Sequence, residues 1–328
     1  MDINNYSKKI FSIKTETEFN ECAIDVFKFQ YQSCELYQKF VDGLGVNPDD
    51  VKDYFSIPFL PIDFFKTNKI ISSLDTHEIV FESSGSTSDV KSKHYVIDTE
   101  LYTKSLTKTF SLFFKNFNNN KLFCLVPSLV EKPSSSLAFM CDKLIEINKN
   151  IESGFYLNNT EKLKQNILDC ERKKQKYILF GLSFEILNFS KKHQINIKNG
   201  VVIETGGTKK NQVRMIREEL HSLIKKNFHL KDLVSEYGMA ELLSQSYCFD
   251  GELFCSPPWK KILIRDKRNP LNIQKDPSRG CINIIDLSNI NSCSFIATND
   301  LGYKKDDKFC VTGRVLNTSQ RGCNLLTQ

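Results

Sequence analysis

The sequence predicts an α/β fold in which a largely parallel sheet is flanked by helices and is joined to a smaller mixed or antiparallel β region. Two patterns carry this prediction. From Leu122 to Ile203, short β-prone runs alternate with segments of helical period, as in parallel strands joined by helical crossovers. Beyond Lys260, β-prone runs follow one another without helical segments between them, which is typical of antiparallel pairing.

The N-terminal segment is predicted to be helical. Thr15-Glu16-Thr17-Glu18 has the pattern of a capping box, and apolar positions at helical spacing continue from it to about Val41. Gly43 and Gly45 are expected to end this helix. The proline-rich stretch from Ile57 to Pro61 is then extended, because the residue before a proline disfavours the helical region.

Later elements follow from capping residues and apolar runs. Predicted helices have as N-caps Asp98 or Thr99, Ser134 and Thr160, and a short helix covers Phe184 to Ser190. Predicted strands are Leu122–Val126, Tyr177–Phe180, Val201–Ile203, Ile262–Ile264, Ile282–Ile285, Phe295–Ala297 and Phe309–Val311. We expect residues 1–56 to form a helical segment packed on the core, 57–260 the α/β core and 261–328 its β-rich end.

Composition excludes several classes of protein. The 45 basic and 39 acidic residues give a net charge of +6 that is spread along the chain, which argues against a dedicated nucleic-acid surface. Met1 to Asn20 lacks the apolar region of a signal peptide, and no window is apolar enough to span a membrane, so we expect a cytoplasmic location. The 11 cysteines contain no C-x-x-C pair, which favours buried thiols, although a zinc site among the later ones is an alternative.

The stretch from Ile79 to Val96 carries the strongest local signal. A β-prone run leads into Ser83 to Ser88, where only hydroxyl groups, hydrogens and backbone N–H groups would face a bound anion. Lys91 and Lys93 follow within reach of the same anion. The pattern differs from a Walker loop at Val90, where a glycine is required, so a classical NTPase is disfavoured. The alternative is a solvated hairpin loop.

Two further segments place candidate ligand-binding residues after β-prone runs. Gly206 and Gly207 follow a strand and precede a helix, where the absence of side chains lets a flat ligand approach the backbone. An ordinary strand-to-helix turn is the alternative. Ser235-Glu236-Tyr237-Gly238-Met239-Ala240-Glu241 follows the next apolar run and ends in a carboxylate suited to Mg²⁺, although a lone glutamate is more often a surface charge.

These motifs resemble those of the adenylate-forming superfamily. Ser84 to Lys91 is similar to its phosphate loop S-G-[ST]-T-G-x-P-K, with Ser88 and Val90 in place of glycine and proline. Tyr237 to Glu241 is similar to Y-G-x-T-E, with Ala240 in place of threonine. Thr298 to Gly302 and Gly313-Arg314 resemble its T-G-D and G-R motifs. The stretches Ile57–Pro61 and Lys93–Val96 resemble one branch, the LuxE-type acyl-protein synthetases.

The resemblance implies an adenylate-forming core that uses ATP and Mg²⁺. The implied site residues are Ser84, Gly85, Ser86, Thr87, Lys91, Gly206, Gly207, Tyr237, Gly238, Asp300 and Arg314 for the nucleotide, Glu241 for the metal, and Lys91 and Cys323 for catalysis. Only fourteen residues follow Arg314, so we expect the superfamily's small mobile domain to be absent. Arg321 to Leu325 resembles the segment whose cysteine accepts the acyl group in the LuxE branch.

The function implied is activation of a carboxylic acid, in this family a fatty acid, as an acyl-adenylate that passes to a thiol. The partner would be an acyl reductase or an acyl carrier protein. A ligase for coenzyme A or for a carrier-protein thiol, acting on an acyl or aryl acid, is the alternative enzyme, with Cys323 then structural. A non-catalytic nucleotide-binding subunit is an alternative from another class, motivated by Ser88 and Ala240.

Overall fold

A computed structural model describes residues 3–72, 76–84, 90–206, 216–274 and 278–315. Its α-helices are α1 Ile3–Ile10, α2 Glu16–Ser33, α3 Glu35–Gly43, α4 Phe64–Thr67, α5 Thr99–Phe113, α6 Ser136–Asn148, α7 Thr160–Lys173, α8 Ser183–His193 and α9 Arg217–Phe228. Its strands are β1 Leu60–Pro61, β2 Ile79–Glu82, β3 Lys93–Val96, β4 Lys121–Leu125, β5 Gly154–Phe155, β6 Tyr177–Leu182, β7 Gly200–Thr205, β8 Val234–Tyr237, β9 Ser246–Cys248, β10 Phe254–Cys255, β11 Lys260–Arg265, β12 Ile273–Gln274, β13 Arg279–Asp286, β14 Phe295–Lys305 and β15 Lys308–Arg314.

Within these ranges, one large mixed sheet has a parallel half and an antiparallel half. Strands β5, β4, β6, β7 and β8 are neighbours in that order and run parallel. From β8 the order continues through β9, β10, β15, β14, β13, β11 and β12 with antiparallel pairing throughout. The predicted α/β class and both of its halves are therefore confirmed.

Helices cover both faces of the parallel half. Leu122 and Cys124 of β4 pack with apolar residues of α5 and α6, whereas Phe123 and Leu125 pack with those of α7, α8 and α9. Successive side chains of a strand point to opposite faces, so a strand buried on both sides must be apolar throughout. This is why the continuous apolar run at β4 predicted a central strand.

The N-terminal helices pack on the antiparallel half. Phe27 and Tyr37, from α2 and α3, lie in one apolar cluster with Phe295 of β14. Their rings contact that phenylalanine at centroid distances of 6.3 and 6.2 Å. Among the described helices, none is both long and apolar enough to cross a bilayer.

The capping box is present, but the helix it begins is shorter than the sequence predicts. Thr15 Oγ1 accepts from the Glu18 N–H at 3.2 Å, and Glu18 accepts from the Thr15 N–H at 3.0 Å. The helix ends at Ser33 because Cys34 has extended backbone, and α3 begins directly after it. This break redirects the chain so that the Tyr37 hydroxyl donates to the Pro58 carbonyl at 2.6 Å.

Two predicted N-caps are displaced by one residue. Ser135, and not Ser134, accepts from the first turn of α6, and Asn159, and not Thr160, does so for α7. Polar residues stand side by side at both places, so the sequence alone does not distinguish them. The Ser134 carbonyl instead accepts from the Glu82 N–H at 2.8 Å and so joins the start of α6 to β2.

Candidate functional site

Three of the predicted site residues, Tyr237, Asp300 and Arg314, gather where the two halves of the sheet meet. Tyr237 is the last residue of β8, the final parallel strand. Asp300 lies in β14 and Arg314 ends β15, and these two residues are direct partners in the antiparallel register. Motifs separated by more than sixty residues in sequence thus converge at one edge, as expected for an open α/β sheet that binds its ligand beyond the carboxyl ends of parallel strands.

Asp300 joins Tyr237 to Arg314. The Tyr237 hydroxyl donates to Asp300 Oδ2 at 2.8 Å, and Arg314 Nε donates to Asp300 Oδ1 at 2.7 Å. Burial and the Asp300 charge raise the pKa of Tyr237, so its hydroxyl stays protonated. A carboxylate can accept about four hydrogen bonds, which leaves Asp300 with capacity for a ligand's hydroxyl groups.

Glu241 is a buried carboxylate at the end of the Tyr-Gly element. It is 4% exposed, and burial raises its pKa, while a hydrogen bond from Ser92 and the charge of Arg314 act in the opposite direction. Within the described residues, no lysine or arginine forms an ion pair with it. A buried carboxylate without such a partner fits Mg²⁺, which is often held by one or two carboxylates together with substrate phosphates. The described residues contain no group of three or more metal-binding side chains.

The two ends of the phosphate loop are tied together at its base. The Ser83 N–H donates to the Ser92 carbonyl, and the Ser92 N–H donates to Ser83 Oγ, both at 3.0 Å. Because Ser92 also donates to Glu241, the loop base and the Tyr-Gly element are in contact. Ser84 is exposed beside this base, whereas Gly85, Ser86 and Thr87 lie outside the described residues.

The hairpin β2–β3 that carries this loop is separate from the large sheet. Lys91 Nζ lies 3.0 Å from Glu82 Oε2, with half of the lysine side chain exposed. An open groove of about 470 Å³ runs between α4 and the outer face of the hairpin, and both Lys91 and Lys93 line it. The β-prone run from Ile79 to Phe81 does form a strand, but only Phe81 is buried in it, and Ile79 and Val80 are partly exposed.

Gly206 has a backbone conformation that favours glycine. Its φ is +88°, which L side chains rarely adopt, and its carbonyl accepts from Ser183 Oγ at 2.6 Å. The glycine is exposed at the end of β7, close in the sheet to the end of β8. Gly207 and Cys323 lie outside the described residues.

His94 and Asn289 hold the Tyr-Gly element, although sequence analysis assigned neither residue a functional role. His94 Nδ1 lies 2.8 Å from the Ala240 carbonyl, and its Nε2 lies 3.0 Å from Asn289 Oδ1. Asn289 in turn donates to the Glu241 carbonyl at 2.9 Å. Because Ala240 lacks the hydroxyl of the family's threonine, only its main chain is available for such contacts.

Glu236 is another buried carboxylate of this element, and sequence analysis assigned it no role. It accepts from Thr205 Oγ1, and burial raises its pKa to about 7. Lys260, which is also buried, donates to the Ser244 carbonyl at 2.9 Å, and burial lowers its pKa to about 8. The sequence held one signal for this role: in a strand with alternating side chains, Glu236 occupies a position that points to a buried face.

The fold is that of adenylate-forming enzymes. One similar structure is an open conformation of 2-hydroxyisobutyryl-CoA ligase in complex with 2-HIB-AMP and CoA. The match covers 91% of this chain and 69% of the ligase chain, with a TM-score of 0.67 and 9% identity. ATP-bound MatB from Rhodopseudomonas palustris matches 72% of this chain with a TM-score of 0.55 and 11% identity. The McyG A-PCP complex with phenylalanyl-adenylate matches 75% of this chain with a TM-score of 0.50 and 15% identity.

The family is defined by a match over most of the sequence. The model of the family described as acyl-protein synthetase, LuxE, matches residues 10–328, so this chain belongs to that family. The chain spans about half the length of the MatB and McyG chains, at 47% and 48%. No protein with a curated description matches it significantly.

Proposed function

We propose that this protein uses ATP to activate a carboxylic acid as an acyl-adenylate and then transfers the acyl group to a thiol. The observation that carries the proposal is the contact of Tyr237 and Arg314 with Asp300, near buried Glu241, in a chain of the acyl-protein synthetase family. The four residues stand in the same order along the chain as the superfamily motifs that they resemble, which supports a nucleotide site here.

The proposed reaction has two steps, formation of the acyl-adenylate and transfer of the acyl group. A carboxylate oxygen of the acid attacks the α-phosphorus of ATP, and the bond from that phosphorus to the bridging oxygen breaks, which releases pyrophosphate. A thiolate then attacks the acyl carbonyl, and AMP leaves with the electron pair of the broken C–O bond. Exchange of the poor oxide leaving group for AMP is what makes the carbonyl susceptible to the thiolate.

Residues of the chain take distinct parts in this proposal. Asp300 would accept hydrogen bonds from the ribose hydroxyls, with Arg314 as a further donor on the same edge. Lys91 and the N–H groups of the phosphate loop would offset negative charge on the phosphates, and this requires Lys91 to exchange Glu82 for the nucleotide. Gly206 and Gly207 would lie along the adenine. Mg²⁺ held by Glu241 would supply further neutralisation of phosphate charge.

The family suggests a substrate and an acceptor. A fatty acid is the substrate class that the LuxE family suggests, Cys323 is the proposed acceptor, and an acyl reductase or an acyl carrier protein in the cytoplasm would take the acyl group onward. The second candidate is a coenzyme A ligase. It is favoured by the similarity to a CoA ligase in complex with CoA, and it would leave Cys323 without a catalytic role.

Acid-dependent exchange of radiolabel between pyrophosphate and ATP tests the first step. We expect exchange that requires both Mg²⁺ and a carboxylic acid, measured across a panel that varies in chain length and substitution. ATP binding by calorimetry without exchange for any acid would contradict the proposal and favour a nucleotide-binding subunit. Product analysis with and without coenzyme A then separates acyl-protein synthesis from the ligase.

A further inference from the structure

A cluster of polar side chains lies in the apolar layer directly behind Tyr237. We define this polar cluster as Glu236, Gln245 and Tyr247. Glu236 of β8 and Tyr247 of β9 are direct partners in the antiparallel register, so their side chains share one face of the sheet. Tyr237 points to the other face, because successive residues of a strand alternate. The cluster is therefore one residue away from the proposed nucleotide site.

Two atoms of the polar cluster are buried without a hydrogen-bond partner in the described part of the chain. These are Gln245 Oε1 and the Tyr247 hydroxyl oxygen, whose residues are 5% and 0% exposed. Such an atom costs about 1–3 kcal/mol when it is left unpaired, and native proteins contain few of them. The cluster therefore has two acceptor atoms that the described residues leave available to a donor.

The Glu236 carboxylate is placed against the main chain of the Tyr-Gly element. Its Oε2 accepts from Thr205. A Cβ atom on Gly238 would lie 2.4 Å from Oε1, so the glycine makes room for the carboxylate, and it would be in ordinary van der Waals contact with the Gln245 side chain at 3.8 Å. Gly238 thus links the proposed nucleotide motif to the polar cluster.

Aromatic and aliphatic residues of α5 and α6 surround the cluster. Tyr247 packs against Phe113 and Phe114 at centroid distances of 5.3 and 5.0 Å. Tyr102 stacks on Phe139 at a centroid distance of 5.2 Å, and both rings belong to the same apolar cluster as Tyr247. The surroundings are therefore apolar, and the polar cluster adds one polar position to them.

The chemistry of the cluster defines what it can bind. Gln245 Oε1 and the Glu236 carboxylate accept hydrogen bonds, and a tyrosine hydroxyl can do so as well. We propose that Glu236, Gln245 and Tyr247 recognise a hydrogen-bond donor, a hydroxyl or ammonium group, carried on the acyl chain of the substrate acid. This inference rests on the proposed function and refines its substrate from an unsubstituted to a hydroxy- or amino-substituted acid.

Matched acids test the inference in the exchange assay. Each straight-chain acid is compared with the same acid carrying one hydroxyl or one amino group along the chain. We expect wild-type kcat/KM to favour a substituted acid by at least about tenfold, since a polar site rejects an analogue that leaves its groups unpaired. Equal or better activity with the unsubstituted acids overturns the inference but leaves the proposed function intact. Absence of exchange with every acid overturns both.

Tyr247→Phe separates recognition from structural support. Its hydroxyl has no partner in the described residues, so we expect thermal stability to be unchanged or higher while the preference for the substituted acid falls by about tenfold. Tyr177→Phe is the control, because that hydroxyl donates to Glu171 at 2.7 Å on the other side of the sheet. The control should lose stability and keep the preference. An unchanged preference in Tyr247→Phe overturns the inference.

Glu236→Gln distinguishes the two donors. Glutamine keeps an acceptor oxygen but removes the charge, so a preference for an amino-substituted acid should fall by at least about tenfold, since hydrogen bonds to charged groups are the stronger ones. A preference for a hydroxy-substituted acid should change by only a few fold. An unchanged preference for the amino-substituted acid would remove Glu236 from the site and contradict the proposed cluster.

Discussion

At the scale of the residue, Lys91 has the most direct electrostatic task in the proposed site. Lys91→Ala removes the positive charge of the phosphate loop, and the expected loss of transition-state stabilisation is on the order of 2.7–4 kcal/mol, the range for single transition-state contacts. This corresponds to a decrease of about 10²–10³ in kcat for pyrophosphate exchange. The Lys91–Glu82 ion pair is largely exposed, so stability should change little.

Lys93 provides the matched control for Lys91. It also lines the groove beside α4, and it lies on the same hairpin two positions further along the chain. We expect Lys93→Ala to retain most of the exchange activity. A severe loss in Lys93→Ala combined with a normal Lys91→Ala would show that the register proposed for the phosphate loop is wrong.

Glu241 is expected to determine the magnesium requirement. Glu241→Gln keeps the size of the side chain and removes the charge that would attract the metal, so activity should fall and the Mg²⁺ concentration for half-maximal exchange should rise. A magnesium titration of wild type and variant measures this. Glu146→Gln, an exposed position on α6, should titrate as wild type. An unchanged midpoint for Glu241→Gln would exclude it as a ligand.

The candidate site could be predicted only where residues stand in ordered motifs. Tyr237, Asp300 and Arg314 were proposed from such motifs, and they are in contact. Glu236 was missed because a glutamate in a strand is usually exposed, and its burial depends on α5 and α6, which lie far away in sequence. Ser92 was missed for the same reason, since its contact with Glu241 joins distant parts of the chain.

At the scale of the element, periodicity predicted strands better than it predicted helix ends. Each strand predicted in the sequence analysis is present. A short, continuous apolar run bounded by turn residues is typical of a buried strand. The break at Cys34 was not predicted, since the apolar spacing continues through it and tertiary packing of Tyr37 redirects the chain. Helix α1 was missed because its sequence reads as polar.

Two glycines allow the strands of the antiparallel half to approach closely. Gly280 and Gly302 are direct partners in β13 and β14, and a Cβ atom on Gly280 would lie 2.1 Å from the Arg265 carbonyl oxygen. Gly280→Ala must therefore shift β13 or β11, and we expect a loss of about 1–3 kcal/mol in the free energy of unfolding, as for other overpacked sites. Urea denaturation measures this.

Gly154 is the control for that substitution. It also lies in a strand, but the nearest atom to an added Cβ is 3.8 Å away, which is ordinary van der Waals contact. Gly154→Ala should change the urea midpoint by a few tenths of a molar or less. If the two variants unfold at the same midpoint, close strand approach is not what requires glycine at position 280.

At the scale of the whole molecule, the junction between the two halves of the sheet explains why one site draws on the entire chain. The parallel half contributes Gly206 and Tyr237, the antiparallel half contributes Asp300 and Arg314, and the hairpin contributes Lys91. N-terminal helices cover the antiparallel half through Phe27 and Tyr37. Relative placement of the halves therefore sets the geometry of the proposed site, and no single motif could have specified it.

Transfer of the acyl group extends the proposed chemistry to Cys323. The positive charge of Arg321, two positions away, should favour the thiolate that attacks the acyl carbonyl. Cys323→Ser should leave acid-dependent pyrophosphate exchange nearly intact, because exchange precedes transfer, and should abolish stable labelling of the protein by radioactive acid. The label on wild type should be removed by hydroxylamine, as expected for a thioester.

Cys255→Ser is the matched control, since Cys255 is a half-buried free thiol in the described part of the antiparallel half. Burial raises the pKa of Cys255, which disfavours its thiolate, so this variant should be labelled like wild type. Labelling that persists in Cys323→Ser would contradict the acyl-protein reaction. A wild-type protein that is never labelled, but forms acyl-CoA when coenzyme A is added, would replace that reaction with the ligase, because the thiol acceptor would then be the small molecule.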